Sequence, residues 1–533
     1  MERNYKWQKL DRETKVFILF LIGMAVYYGW RMFALTPWYD ELYTYYYFIS
    51  RGPVYAAIHW PLPNNHVGYS VLSAVFDWTG SPAIGLRGVS YLASLGCLIM
   101  LFWIGRRGFP KGIAMIPPCL FASMNLVNQM AVQGRGYALS TFLYLSAFCA
   151  LWKIVVCGEK RLRFYILFGA SLVWSLYTLA SSIYFVLPLC ATGGIALLCG
   201  KRFREFWKLV GTSLISAVCT VGLYGIIWLA IGSNLLSKTE GSAYFGVGHV
   251  QIILHAPFAA AKAGVDHMLA TPYIQSVSRQ GYLPRLGSFI RTLFDYYYNG
   301  LAYVLIGIVI IGLAAVVCCL IMHSKNQSTG FMEWYLLTGF LMTPLLLIIQ
   351  AALPYYRVFS YFGAAMALMI TRLISLAAGA IHNKKADVIY NRLAFAVSLA
   401  AVFIVVIALC LPLAYEPYSA RETAIEEAYR AADISRYDQI AVADCDQEYL
   451  LKYMYGLDRE SDSDNSLTTV IEDADCVLLD KDLLLPEDQY MMKNSGGDEW
   501  KFYVTVDTLP AEYLEEQMQV VYENDRFVLY ERK

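Results

Sequence analysis

Charge is what this sequence has least of. Only 16% of its 533 residues are Asp, Glu, Lys or Arg, against 58% hydrophobic, and the mean hydropathy is +0.45. A soluble domain cannot hide that much apolar surface, so the composition excludes an ordinary soluble enzyme and points to a membrane protein. Acids are scarcer still in the first four fifths. Residues 1–414 hold 31 Lys and Arg but 13 Asp and Glu, whereas residues 415–533 hold 11 against 29. The net charge of zero therefore conceals a basic membrane body and an acidic, mostly polar domain.

Metal and phosphate-loop signatures are also missing. No Cys/His cluster has ligand spacing, and most of the twelve cysteines sit in apolar runs such as AVVCCLIM, where they pack as small hydrophobes. Cys445 and Cys476 lie in the polar domain, and pairing between them is open on spacing alone. The polar domain has no glycine-rich phosphate loop, and the chain has no internal repeat.

What is present is a series of apolar runs near the length a membrane requires, about 20 residues each. They predict about eleven spans, at 15–35, 84–105, 112–128, 135–157, 163–179, 181–200, 209–232, 300–322, 333–352, 355–379 and 392–414. The first is too long for a signal-peptide core and lacks a small-residue cleavage site after it. Clustered Lys and Arg at 106–111, 159–163, 201–208, 323–327 and 382–392, with the basic N-terminus, place that side in the cytoplasm. Eleven spans then put the C-terminal domain and the long 36–83 and 233–299 loops outside. The loops contain amphipathic stretches, GYSVLSAVFDW and HVQIILHAPFAAAKAGVDHML, that read as surface helices.

In the domain 415–533, DQIAVADC and ADCVLLD read as short buried strands with the helix QEYLLKYMYG between them. MQVVYENDRFVLYER reads as a hairpin turning at Asn524-Asp525. The expected architecture is thus a polytopic α-helical membrane domain over 1–414, followed by a small α/β domain.

One stretch raises a chemical question. TPWYDELYTYYYF places Asp40 and Glu41 a few residues past the first span. Desolvation near an interface makes a carboxylate a better base, although an acid there also caps a helix. Three further stretches follow in order: PLPNNHVGYSVLSAVF with Asn64, Asn65 and His66, NQMAVQGRGYALSTFLYL with Gln133, Arg135 and Tyr137, and PYYRVFSYFGAAMALM with Tyr356 and Arg357. This order resembles the C-type (GT-C) membrane glycosyltransferases, in the branch of protein O-mannosyltransferases and aminoarabinose transferases, over most of residues 10–380. NNHVGYSVL departs from the commoner NHPPLYYLL pattern, which leaves the role of His66 open. The resemblance implies a GT-C-like fold, a catalytic carboxylate in the acidic motif and a polyprenyl-phosphate sugar as donor.

Chemistry gives the same residues parts to play. Asp40 would be the base toward an acceptor hydroxyl. Arg135 and Arg357 would hold the donor phosphate. Glu41, Asn65 and His66 would orient or bind the acceptor, and Tyr43, Tyr137 and Tyr356 would contact sugar or lipid. Against this stand snorkelling arginines, a helix-capping His66 and an aromatic belt of tyrosines. A divalent metal held by Asp40 or Glu41 is left open, and no other cofactor is expected. The expected partners are the lipid-linked donor, membrane lipid and a hydroxyl-bearing polysaccharide, glycolipid or protein, with no nucleic acid. The expected location is a bacterial plasma membrane. The competing classes are a transporter or flippase of lipid-linked sugars, and a structural or sensory membrane protein with an outer binding domain. The chemistry is expected to reside in the membrane body and to survive loss of the C-terminal domain.

Overall fold

A computed structural model describes residues 11–59, 65–110, 112–270, 275–276, 281–323, 330–381, 396, 399–405, 419–459, 466–485 and 501–533. The chain forms two compact units. The first comprises Met1–Phe33 and Arg51–Tyr415, and the second comprises Ala34–Ser50 and Glu416–Lys533. The chain thus leaves the first unit at the end of its first long helix, contributes seventeen residues to the second, and returns.

Among the described residues the first unit has eight helices long and apolar enough to cross a membrane: Arg12–Ala34, Pro82–Gly108, Tyr137–Val155, Ala180–Cys199, Phe203–Lys238, Ala302–Met322, Phe331–Gln350 and Tyr356–Ala378. The chain is a multi-pass helical membrane protein. The first helix shows why hydropathy finds these elements. Phe17, Phe20, Met24 and Tyr28 are buried on one side, while Leu19, Ile22, Val26 and Trp30 are exposed on the other. A helix apolar on both faces needs lipid on the face that protein does not cover.

Three expected spans differ. Leu162–Thr178 is an apolar helix of 17 residues. Fifteen of the 23 residues of 392–414 lie outside the described residues. The expected span 112–128 is two short helices, Ile116–Ser123 and Asn125–Met130, broken at Met124 by an extended backbone (ψ 128°). This pair runs antiparallel to the Pro82–Gly108 helix. Gly105 lies against Ala114 at one end, and Ser94 and Ser90 bond the carbonyls of Ala131 and Gln133 toward the other. The run is apolar because protein buries it, and hydropathy alone cannot tell a buried segment from one that faces lipid.

The described residues of the 233–299 region are mostly helical. The Phe203–Lys238 helix has 36 residues and is about 54 Å long at 1.5 Å per residue. Helix Pro257–Ala270 packs back along it. The two backbones meet at glycines. A Cβ on Gly232 would fall 1.5 Å from the Ala260 carbonyl oxygen, and one on Gly264 would fall 2.2 Å from that of Trp228. Two short strands, β1 (Gln275–Ser276) and β2 (Ala352–Leu353), pair antiparallel within this unit.

The second unit is a five-stranded mixed sheet, in the order β4-β3-β5-β7-β6. Its strands are β3 (Gln439–Ala441), β4 (Ser466–Thr468), β5 (Cys476–Asp480), β6 (Met518–Glu523) and β7 (Phe527–Arg532). β3 is parallel to β4 and β5, while β5-β7 and β7-β6 are antiparallel. All five residues of β5 are buried, as in a strand covered on both faces. Cys476 and Leu478 face one core with Leu450, Tyr429 and Phe527, and Val477 and Leu479 face the other with Leu483 and Met518. The expected helix is Cys445–Tyr455 and the expected hairpin is β6-β7. Asn524 closes the hairpin by accepting the Phe527 N–H on its side chain at 2.7 Å. β4 has only three residues and no apolar run to announce it. Cys445 and Cys476 are buried free thiols.

The glycine contacts yield a stability prediction. Gly232→Ala should force the two helices apart and lower the melting temperature of the purified protein, at a cost of about 1–3 kcal/mol. Gly211→Ala on the same helix, where a Cβ meets nothing within 4 Å, should be neutral or stabilising.

Candidate functional site

The buried strip 131–136 is irregular backbone inside a helical body, so its carbonyls need partners that no helix supplies. The Pro82–Gly108 helix provides them through serines. Ser94 donates to the Ala131 carbonyl (2.7 Å), and Ser90 reaches the carbonyls of Gln133 (2.6 Å) and Arg135 (3.1 Å). The strip is fixed and delivers Arg135 and Tyr137 to a defined place.

His66 meets them there. It stands just before helix Val67–Phe76 and is buried. Its Nδ1 accepts the Gly136 N–H at 2.9 Å, and its Nε2 lies 3.2 Å from Arg135 Nη2. Gly136 must be glycine for this approach, since a Cβ would fall 2.5 Å from Thr178 Cγ2 and 3.2 Å from the imidazole. Tyr137 sets its ring edge-on to His66, with centroids 5.0 Å apart, and accepts the Arg357 Nε–H at 2.7 Å. The Arg357 guanidinium also lies 4.5 Å over the ring of Tyr355.

The protonation pattern follows from the bonds. A backbone N–H only donates, so Nδ1 is the acceptor and a neutral ring carries its proton on Nε2. Burial pushes the imidazole well below its usual pKa, and the positive charges of Arg135 and then Arg357 push it further. His66 is therefore neutral, and both of its ring nitrogens face N–H donors, of which a neutral ring can accept only one. Arg135 and Arg357 bring two guanidinium groups to this ring.

A pocket of about 310 Å³ lies next along the chain, lined by Arg285, Ser288, Phe289, Leu353, Pro354, Tyr355 and Tyr356. Tyr356 stacks on Phe289 at 4.7 Å. Phe289 also lines an apolar groove of about 160 Å³ with Leu293, Ile306, Ile310, Phe340 and Phe359. Cationic pocket and apolar groove thus share a wall. Arg285 and Phe289 lie on helix Tyr282–Tyr297, within a region read from sequence only as surface helix. Its strong amphipathicity was the available signal. Asn65 is absorbed locally: its amide donates to the carbonyls of Ala56 (3.0 Å) and His59 (2.6 Å) and accepts from Ser70 (2.7 Å).

Asp40, Glu41 and Tyr43 belong to the second unit. Asp40 sits half-buried near the start of helix Tyr39–Thr44. Glu41 is 1% exposed and turns its Oε2 back to accept the Trp38 N–H (3.3 Å), closing its own helix turn. Leu42 is fully buried in the unit's core with Ile425, Tyr429 and Leu450. The tyrosines of YTYYYF dock this segment. Tyr39 and Tyr46 lie 6.3 and 5.8 Å from the Tyr449 ring, and Tyr45 meets Tyr453 at 6.3 Å. Tyr43 stacks on Tyr47 at 4.2 Å.

The partners of this segment escaped the sequence reading. The Tyr39 N–H donates to Glu422 Oε1 at 2.8 Å, and Thr36 Oγ1 donates to Glu426 Oε2 at 2.5 Å. Both acids lie on helix Ala420–Ala431, and nothing in residue spacing links positions almost 400 apart. Behind Glu422 lies a charged cluster. Arg421 pairs with Asp446 and with Asp444 (2.6 Å), and Asp444 caps helix Cys445–Tyr455 through the Asp446 and Gln447 N–H groups. Burial and the neighbouring Asp446 raise the Glu422 pKa to about 7. Burial and Asp444 raise Asp446 to about 6. Glu422 Oε2 and Asp446 Oδ1 are buried without a hydrogen-bond partner. Among the described residues, no group of three or more His, Cys, Asp or Glu is placed to hold a metal ion.

A raised carboxyl pKa favours the folded state while the group is protonated. Below about pH 4.5 Glu422 is protonated folded or unfolded. Above about 7 it is ionised in both, and its burial cost is fully felt. Stability of the second unit should therefore fall by roughly 3 kcal/mol between those limits. Glu422→Gln should flatten that slope, as read from urea-dependent amide exchange of β3 and β5 in the full-length protein.

No protein-family model matches the chain, and the search of curated proteins found no match.

Proposed function

We propose that this protein is a membrane glycosyltransferase that moves a sugar from a polyprenyl-phosphate donor to an acceptor hydroxyl outside the cell, by one inverting displacement. The observation that carries the reading is the grouping of two guanidinium groups, Arg135 and Arg357, around His66 and Tyr137. An apolar groove adjoining a cationic pocket supports a ligand with a phosphate head and a long hydrocarbon tail.

The roles divide as follows. Arg135, Arg357 and the neutral His66 receive the donor phosphate through charge-assisted and neutral N–H donors. Asp40 takes the proton from the acceptor hydroxyl. The acceptor oxygen forms its bond to the anomeric carbon from the side opposite the phosphate. The anomeric carbon–oxygen bond breaks, and the phosphate leaves with the electron pair into the guanidinium charges. Phosphate is a good enough leaving group that one carboxylate suffices. The Asp40 proton then passes to water. By the positive-inside rule the basic loops favour a cytoplasmic N-terminus, and on this reading the chemistry lies on the outer face. The plasma membrane of a bacterium fits this plan.

Asp40→Asn should leave binding of a polyprenyl-phosphate sugar intact and lower transfer by about 10²–10⁴-fold. Arg135→Ala and Arg357→Ala should each weaken donor binding about tenfold or more. The measurement is transfer of radiolabelled sugar from a panel of lipid-linked donors to envelope extracts, beside equilibrium binding of the donor. Full transfer by the Asp40 variant would remove the assigned base. Binding without transfer by the native protein would favour a flippase or transporter.

A further inference from the structure

The acidic motif is read naturally as a loop of the membrane body, yet its fixed contacts are with residues at the far end of the chain. Three kinds of contact hold it within the second unit. Leu42 fills a core position among Ile425, Tyr429 and Leu450. The tyrosines that follow pack against Tyr449 and Tyr453 of helix Cys445–Tyr455. The backbone itself is held at the Tyr39 N–H by Glu422, and the side chain of Thr36 by Glu426. Asp40 lies one residue past the amide that Glu422 receives.

We infer that Glu422 is a positioning residue for Asp40, and that the C-terminal part of the chain is the scaffold that sets the carboxylate of the acidic motif. The inference rests on the proposed transferase reading for its catalytic consequence, but the positioning is testable without it. It also replaces the expectation that transfer survives loss of the C-terminal domain. The Tyr39 N–H is the first donor of a helix of only six residues. The helical stretch runs on as a π-helix over Tyr45–Ile49, and at this length it still has little stability of its own, so its direction depends on its tertiary anchors, of which Glu422 holds the first turn. Glu422 anchors it from a helix that is itself held. Arg421 beside it pairs with Asp444 and Asp446 and lies near Asp480, which Arg526 also pairs. Lys501 lies 4.2 Å over the ring of Tyr39 and acts on Asp446. These groups, with Asp446 nearest in effect, are the charges that face Glu422 from the elements around it.

The chemistry of the anchor separates positioning from mere bulk. Protonated or ionised, Glu422 accepts through Oε1. A glutamine accepts equally through its carbonyl oxygen and carries no charge. Glu422→Gln should therefore preserve the Tyr39 bond, and Glu422→Ala should remove it.

The experiment uses the full-length protein in nanodiscs. Hydrogen exchange is followed at residues 39–44, and transfer is measured from pH 5 to 8. Glu422→Ala should speed exchange of the Tyr39 amide about tenfold or more and lower kcat with little change in donor KM. Glu422→Gln should restore both and shift the pH profile. Thr36→Val, which removes the Glu426 bond without touching the core, should act in the same direction more weakly. Unchanged exchange in Glu422→Ala would overturn the positioning, whatever the enzyme does. Faster exchange with undiminished transfer would overturn its catalytic consequence. Should Glu422→Ala fail to fold, the glutamine and Thr36 variants decide: loss of the Tyr39 protection in Glu422→Gln, or no effect of Thr36→Val, would overturn the inference. Native protein that transfers nothing while Glu422→Ala loosens the segment would overturn the transferase reading and uphold the positioning.

Discussion

One backbone N–H decides what His66 can be. Because Gly136 donates to Nδ1, the imidazole proton is on Nε2, and the ring faces Arg135 as a second donor. Every nearby element serves that arrangement. Ser90 and Ser94 satisfy the carbonyls of the irregular strip that carries Arg135. Gly136 allows the approach, and Thr178 closes on both Gly68 and Gly136, where neither could carry a side chain. Tyr137 links the ring to Arg357 through its own hydroxyl. Burial and the two guanidinium charges hold the imidazole pKa well down, so the ring adds no charge of its own to the cluster.

The second unit organises its polar interior by a different rule. Its buried acids are distributed around one arginine, with Asp444 spending one oxygen on a helix cap and the other on Arg421. Glu422 and Asp446 are left with one unpartnered oxygen each. Burial is the main reason both titrate upward, with Asp446 adding to the shift of Glu422 and Asp444 to that of Asp446. The tyrosine-rich segment that docks here is apolar where it meets the core and polar at its first turn. That is why seven aromatic residues in a row of thirteen need neither a lipid interface nor a sugar to account for them.

Much of the architecture was legible because hydropathy and charge sign are local properties. The long spans, the strand pattern of ADCVLLD and the hairpin turn at Asn524 were all readable within windows of a few to twenty residues. The apolar run 112–128 hid its break at Met124, because protein covers it and apolarity does not mark where helices end. His66, Arg135, Tyr137 and Arg357 were legible as chemically suitable residues, and the structure brings these four together. What spacing concealed was assignment between units. Asn65 looked like a ligand group and is consumed by the carbonyls of Ala56 and His59. Glu41 looked like a group that orients or binds the acceptor, and one of its oxygens accepts the Trp38 N–H. Glu422 carried no signal, because its partner is 383 positions away.

That separation carries a consequence for biosynthesis. The ribosome releases Leu42 early, while Ile425 and Tyr429, its neighbours in the finished core, are still to be made. At roughly 5–20 residues per second, the interval is about 20 to 80 seconds. During that time the tyrosine-rich strip has no domain to enter, and the membrane helices on either side of it are already being inserted. Completion of the second unit is therefore a late event relative to the synthesis of Leu42, since β7 supplies Phe527 and Leu529 to the same core.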